Sequence, residues 1–457
     1  MTIILQNYKN LIHDLIKRCF SDKLDALISS FDSFSADNYI NLLSSFDSNM
    51  NMFLKNALTS LIEELDKNYS SSIERKRKYH IKYKTKRTIL TVFGEITYTR
   101  TFYKSKLNGK CFCYIDRLLG LKKYDYFDPY IKAEVLDFVS DDNYSKTAKH
   151  INSLIGNRIS IESKTKFMSR QSVRNIILKE KLSKPKIQKL SNVEELFIIA
   201  DEKWIPTQNN NHKKIMQKSI VVFDKICSKG KRKYLSNKKT FSGGNNDFIY
   251  ESIDYIENAY DMSKVQRIYI LGDGASWIKN LKYEFNYIPN IEIIQGLDKF
   301  HLKQCLWRIL PKEDVTQTLL EYIVNQDINE FDRLTNEIID LYPTRKEKID
   351  EYKKYISNNL ESINNLYKYN LSCPMESQIS HTFASYFTSR PKGYNKKTID
   401  KLVRLRLLNK NGYNIKKLFL NNINQKIEID INKEVMNYSI FDTKETHSII
   451  LNGKHYY

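Results

Sequence analysis

The chain has no membrane-length apolar run: nowhere do about 18 or more uncharged apolar residues follow one another. A membrane-spanning helix is therefore not expected. The first residues, Met1-Thr-Ile-Ile-Leu-Gln-Asn-Tyr-Lys9, hold no charged segment followed by an apolar stretch and a cleavage site, so a secretory leader is not expected either. Cysteine is scarce and scattered. Of the six, at positions 19, 111, 113, 227, 305 and 373, only Cys111 and Cys113 stand close together, and no second pair completes a zinc-ribbon or finger spacing. This argues against a structural zinc site and for free thiols in a reducing cytosol. There is no G-x-S-x-G elbow, no Walker A and no G-x-G-x-x-G, so serine-hydrolase, ATP and dinucleotide chemistry lack support.

What is present is size, apolar content and positive charge. The 457 residues suffice for two to four domains, and 41% hydrophobic residues exclude a wholly disordered chain. The net charge of +21 is concentrated. Residues 71–110, 143–190 and 388–420 carry +10, +10 and +9, so the remainder is −8. Such clustering is the footprint of a nucleic-acid binder, because each phosphate contact releases condensed counterions. The plainer reading, compositional drift in a chain rich in Lys, Ile, Asn and Tyr, explains abundant lysine but not three clusters against an acidic remainder. A membrane surface would need an amphipathic helix beside the charge, and residues 71–87 show none.

Hydrophobic periodicity organises the chain. Residues 1–70 contain no Gly or Pro and read as helix, with Leu11, Ile12, Leu15, Ile16 and Cys19, then Leu54, Leu58, Leu61, Ile62 and Leu65, at a 3.6-residue period. Residues 71–87 read as a basic connector containing Arg75, Lys76, Arg77 and Lys78. A hairpin follows, Thr88–Phe93 and Ile96–Tyr103, with its turn at Gly94-Glu95. Helix is expected over Tyr144–Ile155 and Ser163–Lys181. In the latter, Ser169 is a cap, and Arg170, Gln171 and Arg174 resemble the start of a recognition helix in a helix-turn-helix-like segment. The plainer alternative is a basic surface helix.

From residue 195 strands and helices alternate. Strands are expected at Leu196–Ala200, Met216–Asp224, Tyr234–Phe241, Val265–Leu271 and Ile291–Ile294, and helices at Asp247–Ala259, Ala275–Phe285 and Asp298–Leu310. Helix alone fills 312–369, and a last helix is expected from about Glu376. The order β-β-β-α-β-α-β-α is that of a ribonuclease-H-like core with an all-helical insertion before its final helix. The expected organisation is a helical region 1–70, a basic DNA-binding region 71–190, a catalytic core 191–311, the insertion 312–370, a final catalytic helix and basic segment 371–420, and a tail 421–457. The fold class is mixed, helical with a small hairpin at the front and α/β behind.

Two aspartates, Asp201 and Asp273, directly follow buried-type strands, where open α/β sheets place functional side chains. Gly272 and Gly274 flank the second. Glu376 opens the expected last helix. Three such carboxylates suit Mg²⁺, a hard ion that prefers oxygen. Two ions activate a water or 3′-hydroxyl and stabilise the leaving oxygen of a phosphodiester. Asp298 and His301, three residues apart on one helix face, offer an acid and an imidazole to bind a phosphate, orient a ligand or shuttle a proton. Singly, each of these residues is more ordinarily a loop acid, a helix cap or a half-buried histidine.

Together the motifs resemble a known group. Ala200-Asp-Glu-Lys-Trp-Ile-Pro-Thr-Gln208, Gly272-Asp-Gly-Ala-Ser-Trp-Ile-Lys279, Leu297-Asp-Lys-Phe-His-Leu-Lys303, and Glu376 with Ser380-His381 and Ser389-Arg-Pro-Lys-Gly393 resemble, in order, four motifs of the ISLre-type insertion-sequence transposases. Leu405-Arg and Lys410-Asn-Gly412 resemble the tail of that block. This bacterial group, long carried as an uncharacterised protein family, is similar to Mutator-like DDE transposases. The resemblance spans roughly residues 70–415. It implies a ribonuclease-H-like catalytic domain and DNA cleavage with strand transfer. Two Mg²⁺ ions, with Mn²⁺ able to substitute, would be held by Asp201, Asp273 and Glu376, with Asp298 and His301 as the acid-x-x-His element. It implies that residues 71–190 bind terminal inverted repeats, that Arg390, Lys392, Lys396 and Lys397 contact phosphates near the active site, and that the protein acts on DNA as a dimer or larger assembly in the bacterial cytoplasm, at the nucleoid. Trp277 and Trp307 are expected to pack. The alternatives are a ribonuclease-H-like nuclease without strand transfer and a transposase-derived repressor.

Overall fold

The computed structural model describes residues 36–156, 167–190, 192–208, 214–230, 232–372, 374, 386–387 and 394–427, with His13 and Lys17. The chain divides into two compact units, Met1–Lys184 with Asn414–Tyr457, and Pro185–Tyr413. The second unit is thus inserted into the first.

The first unit begins with helix α1 (Ala36–Ser71) and the short α2 (Ile73–Lys78). A long hairpin follows, β1 (Tyr79–Thr91) and β2 (Gly94–Ser105), with β3 (Cys111–Cys113) added to its edge. The expected connector 71–87 is therefore mostly strand. Lysines at alternate positions 82, 84 and 86 are exposed, and the intervening Ile81 and Tyr83 are exposed too, so the period-two pattern reaches a core only at the two ends of the strand. The turn is also shifted. Val92-Phe93 form the two-residue loop, and Gly94, with φ +108°, opens β2. The Thr91 hydroxyl donates to the Gly94 carbonyl (2.8 Å) and accepts from the Phe93 N–H (3.2 Å), closing the turn locally.

Helices α3 (Tyr114–Leu118), α4 (Pro129–Val139), α5 (Tyr144–Gly156) and α6 (Arg170–Lys179) follow, and a helix over residues 415–427 returns to close the unit. Helix α5 matches its expected span. Helix α6 starts at Arg170, not Ser163: Ser169 accepts from the Ser172 N–H (3.0 Å) as the expected cap, and Phe167–Ser169 are not helical. Residues 157–166, which would form the turn of the helix-turn-helix, lie outside the described residues. Buried charge is paired inside this unit. Asp116 bridges Arg87 (2.8 Å) and Arg100, while Lys132 joins Asp125 to Glu180 (3.1 Å to the latter).

The second unit is built on a five-stranded mixed sheet in the order β10-β9-β4-β5-β8. Its strands are β4 (Glu195–Pro206), β5 (Lys214–Phe223), β8 (Lys239–Gly243), β9 (Arg267–Gly272) and β10 (Glu292–Leu297). β4 runs antiparallel to β5 and parallel to β9. The expected strand at 234–241 is two features: a separate hairpin, β6 (Lys225–Lys229) with β7 (Arg232–Ser236), and then β8. The break falls at Asn237, whose φ of +49° ends the first run.

Helix α7 (Asp247–Ala259) has its expected bounds and packs Phe248, Tyr255 and Ile256 on the sheet. The expected helix 275–285 splits into α8 (Ser276–Asn280) and a 3₁₀ turn, Leu281–Phe285. Helix α9 (Lys299–Ile309) is followed by α10 (Glu313–Val324), α11 (Ile328–Leu341), α12 (Lys346–Ser357) and α13 (Leu360–Lys368). These form an all-helical block around Leu319, Ile323, Phe331, Ile338, Ile349 and Ile363. Helix α14 (Lys396–Lys410) lies along the free edge of β8. There Asn411 accepts from the Thr240 N–H (2.8 Å) and donates to its carbonyl (2.9 Å), doing for that edge what a further strand would. Among the described residues no helix is long and apolar enough to cross a membrane.

Candidate functional site

Strand register decides where the acids fall. The apolar run Leu196-Phe-Ile-Ile-Ala200 makes β4 a central strand covered on both faces. Its pairing with β9 ends at Ile199↔Leu271, and that of β10 with β9 ends at Leu297↔Gly272. The Asp298 N–H then donates to the Gly272 carbonyl (2.8 Å), adding one more rung. Asp201, Asp273 and Asp298 therefore stand one or two residues beyond the last pairs of three adjacent parallel strands, at one end of the sheet. Strand β4 does not stop at Asp201 as expected. It runs on to Pro206 against β5 alone, so Asp201 still marks the point where β4 outruns β9.

Close packing shapes the loops here. A Cβ on Gly272 would lie 2.7 Å from the Ala200 carbonyl oxygen, and one on Gly274, at φ +84°, would lie 2.5 Å from Asn359 Oδ1. Only glycine fits at both. These two glycines make room for the neighbouring strand and for the helical block.

The carboxylates differ in how they are engaged. Asp298 is buried and fully used: Oδ1 accepts from the Phe300 N–H (3.1 Å), capping α9, and Oδ2 meets His301 Nδ1 at 2.8 Å. The helix cap and the acid–histidine pair, alternatives in the sequence, are both present. Asp201 Oδ1 accepts from the Glu202 N–H (2.6 Å), and Asp273 Oδ1 from the Ala275 N–H (2.9 Å). Among the described residues nothing engages the second oxygen of either.

The four groups feel one another. Asp201 is pushed up to about 6, first by burial and then by the charge of Asp273, with Asp298 adding to the rise, while the Glu202 N–H and His301 oppose it. His301 is held above its ordinary range first by its hydrogen bond to Asp298, with Asp201 and Asp273 assisting. Among the described residues this site holds more negative charge than its neighbours neutralise. Hard carboxylate oxygens in such surplus suit a divalent cation such as Mg²⁺. Among the described residues, however, no three His, Cys, Asp or Glu side chains are grouped closely enough to hold one ion. Glu376, the third expected ligand, lies outside the described residues, as do Arg390 and Lys392.

Lys396 and Lys397 open α14, with Lys397 exposed. Four residues into α14 Asp400 accepts from Gln217 Nε2 (3.1 Å), and Gln217 pairs with Lys203, two residues beyond Asp201. The start of α14 is therefore at the same end of the sheet as the acids.

Two neighbours carry no sequence signal. The Tyr355 hydroxyl, from the helical block, donates to the Asp273 carbonyl (2.7 Å), and burial followed by the Asp273 charge keeps that phenol protonated. Asn359 is buried, donates to the Tyr355 carbonyl (2.7 Å) and sets its Oδ1 against Gly274. No spacing pattern connects positions 82 residues apart. Trp277 packs at the edge of the sheet core, as expected, with Lys218 Nζ 5.1 Å from its ring centre. Trp307 does not pack: it is 43% exposed, on the same outer stripe of α9 as Phe300 and Lys303, since the face of α9 at Leu302, Leu306 and Ile309 is the one turned to the core.

The basic residues singled out in the first unit divide. The Arg75 guanidinium donates to the Ser70 carbonyl (2.7 Å from Nε) at the end of α1, and Lys78 pairs with Glu74 (3.1 Å). Lys76 and Arg77 are exposed or partly so on the short α2. On α6, Val173, Ile176 and Ile177 turn inward, while Arg170 and Gln171 are exposed and Arg174 is half-buried. Gln171 donates to Asn175 (3.0 Å).

The fold and site define a mixed α/β protein with an acidic cluster and a histidine at the carboxyl end of its central sheet. The chain belongs to the uncharacterised protein family UPF0236, whose profile matches residues 36–422. Relatives in Caldanaerobacter subterraneus subsp. tengcongensis include a UPF0236 protein 27% identical over 427 residues, covering 91% of this chain and 85% of the relative. Another is 28% identical over 375 residues, covering 80% and 76%, and its name joins eleven locus designations.

Proposed function

We propose that the chain is the DNA transposase of an insertion sequence, cleaving phosphodiesters at element ends and joining the freed ends to target DNA. The observation that carries this reading is the arrival of Asp201, Asp273 and the Asp298–His301 pair at one end of one sheet from positions scattered through the sequence. The order of strands and helices in the second unit, apart from the β6–β7 hairpin, supports a ribonuclease-H-like core with a helical insertion. One relative's name covering eleven loci in one strain fits a sequence that is copied around a genome.

Asp201 and Asp273, each with an oxygen to spare, and Glu376 would hold the metal. When bound, two Mg²⁺ ions supply activation of the attacking oxygen and stabilisation of the leaving one. Asp298 fixes the His301 ring through Nδ1 and favours its protonated form, which presents a cation to a phosphate oxygen. The Glu202 and Ala275 N–H groups orient the two ligand carboxylates. Tyr355 and Asn359 brace the Asp273 loop from the helical block. Lys397 and its neighbours at the start of α14, with the basic surface of the first unit, supply phosphate contacts. Joining two ends requires at least a dimer on DNA, and the substrate places the protein at the bacterial nucleoid.

The test is incubation of the protein with Mg²⁺ and DNA carrying the ends of its element, beside Asp273→Asn. Joined product from the wild type alone is expected. Persistent joining in the variant sinks the assignment of the acids. Cleavage without joining points to a nuclease, and binding with neither points to a repressor.

A further inference from the structure

A second charged feature of the inserted unit lies away from the acids, at the opposite end of the sheet. Lys239 opens β8 opposite Val222, and Val222 pairs with Ile198. Three residues of strand and two strand spacings, roughly 10 Å in each direction, separate this point from Asp201. Here the segment before β4, the turn at Asn237, α7 and the residues after α14 enclose a cavity of about 380 Å³. That is within the usual range of small-ligand sites, roughly 300–1,000 Å³.

Its lining is cationic and aromatic. Lys186, Lys238 and Lys239 contribute ammonium groups, Tyr255 and Tyr413 contribute rings, and among the described residues no Asp or Glu lines it. Asp224 stands outside the lining and accepts from Asn237 Nδ2 (2.6 Å). Lys239 is already engaged locally, since its Nζ donates to the Asn411 carbonyl (2.6 Å) at the end of α14 and lies 4.5 Å from the Tyr413 ring centre. That helix end contributes only about half a negative charge, against three lysines. Burial holds Lys238 and Lys239 below the ordinary lysine range, and repulsion from Lys410 lowers Lys238 further. Tyr255 is pushed up to about 12, chiefly by burial, so its phenol keeps a proton to donate. Among the described residues the cavity thus gathers three ammonium groups and no carboxylate, with neutral donors and a ring face beside them.

We propose that this cavity is a phosphate-binding site, separate from the acidic cluster, with Lys186 and Lys238 gripping the anion and Tyr413 offering a stacking face for an attached base. A DNA strand's phosphodiester and a free nucleotide share this chemistry. The inference does not depend on the transposase reading, because binding is measured without any cleavage.

The experiment titrates the full-length protein calorimetrically with inorganic phosphate, adenosine 5′-monophosphate and a twelve-nucleotide single-stranded DNA, beside the double variant Lys186→Gln/Lys238→Gln. Neither lysine is fully buried, so the variant should melt within a few degrees of wild type. Saturable binding weakened at least about tenfold in the variant is expected. Weakening confined to the oligonucleotide, with the slope of log affinity against log salt reduced by roughly 0.7 to 1.4, assigns the site to DNA. Weakening that extends to phosphate and the mononucleotide assigns it to a free ligand. A wild type that binds none of the three, or a variant that binds all of them as wild type does, overturns the proposal.

Discussion

The two units handle half-buried charge differently. In the first, most of the buried or half-buried ions among those described have a partner of opposite sign, although Asp66 takes only the Thr101 hydroxyl. Asp116 lies between Arg87 and Arg100, Lys132 between Asp125 and Glu180, and Lys416 meets Glu134 at 2.6 Å. In the second, Asp201 and Asp273 stand together without a lysine or arginine partner among the described residues, and His301 is the one cationic group among them that offsets the pair. Paired burial holds a fold in register. Like charges held half-buried and unpaired cost stability, and they persist where something from outside the chain supplies the missing charge.

This contrast can be broken by substitution. On the proposed transposase reading, the largest effect is expected from Asp273→Asn, which should lower DNA cleavage by roughly 10⁴-fold or more while leaving the melting temperature unchanged or raised. A variant that melts well below wild type would mean the acid is structural, as in the first unit. Next, Asp116→Asn should destabilise the protein by about 3–5 kcal/mol, because it leaves two buried guanidiniums without their carboxylate; denaturant unfolding measures this, and a loss under about 1 kcal/mol would erase the distinction between the units. Gly274→Ala forces a side chain into a left-handed backbone and against Asn359. It should cost about 2 kcal/mol and lower cleavage more than it lowers melting.

An effect of similar size sharpens the rule for the first unit, through one of its exceptions. Asp128 caps α4, accepting from the Ile131 N–H (2.7 Å), yet burial pushes it up to about 6 from 3.8. The folded state therefore binds its proton more tightly than the unfolded chain does. The resulting penalty is absent below about pH 4, grows as pH rises, and is complete above about pH 6. Asp128→Asn keeps a capping side chain and removes the charge. Relative to wild type it should gain about 1–3 kcal/mol between pH 4 and 7, and an unchanged difference across that range would contradict the burial argument.

How much is legible in the sequence follows from how local each cause is. Helix α7, the Ser169 and Asp298 caps, and the positions of Asp201 and Asp273 after apolar runs depend on short stretches of residues and can be read from them. The strand Tyr79–Thr91 is hidden because its lysines face solvent and only half of it touches a core. The Val92-Phe93 turn is hidden because the Thr91 hydroxyl closes it without the usual Asn-Gly. The hold of Tyr355 and Asn359 on the Asp273 loop is purely tertiary: the helical block is expected from its periodicity, but nothing in it announces a contact with the acids. Glu376 belongs to the expected site because it opens the expected last helix and by resemblance, and it lies outside the described residues.

The insertion of one unit into the other also sets a schedule for synthesis. A ribosome releases residues 415–427 only after all of Pro185–Tyr413 has emerged. Until then the first unit lacks the helix whose Lys416 answers Glu134, whose Leu418 carbonyl receives the Ser183 N–H (3.1 Å), and whose Ile423 fills the notch above Gly120. The inserted unit has all its strands in hand before that, and domains generally fold as units while the chain is being made. The front of the protein, first to be translated, is therefore the last to be completed. Closing it over a loop of that length adds only a logarithmic entropy cost, but it leaves α4 and the turn at Gly120 without that helix while the inserted half takes shape.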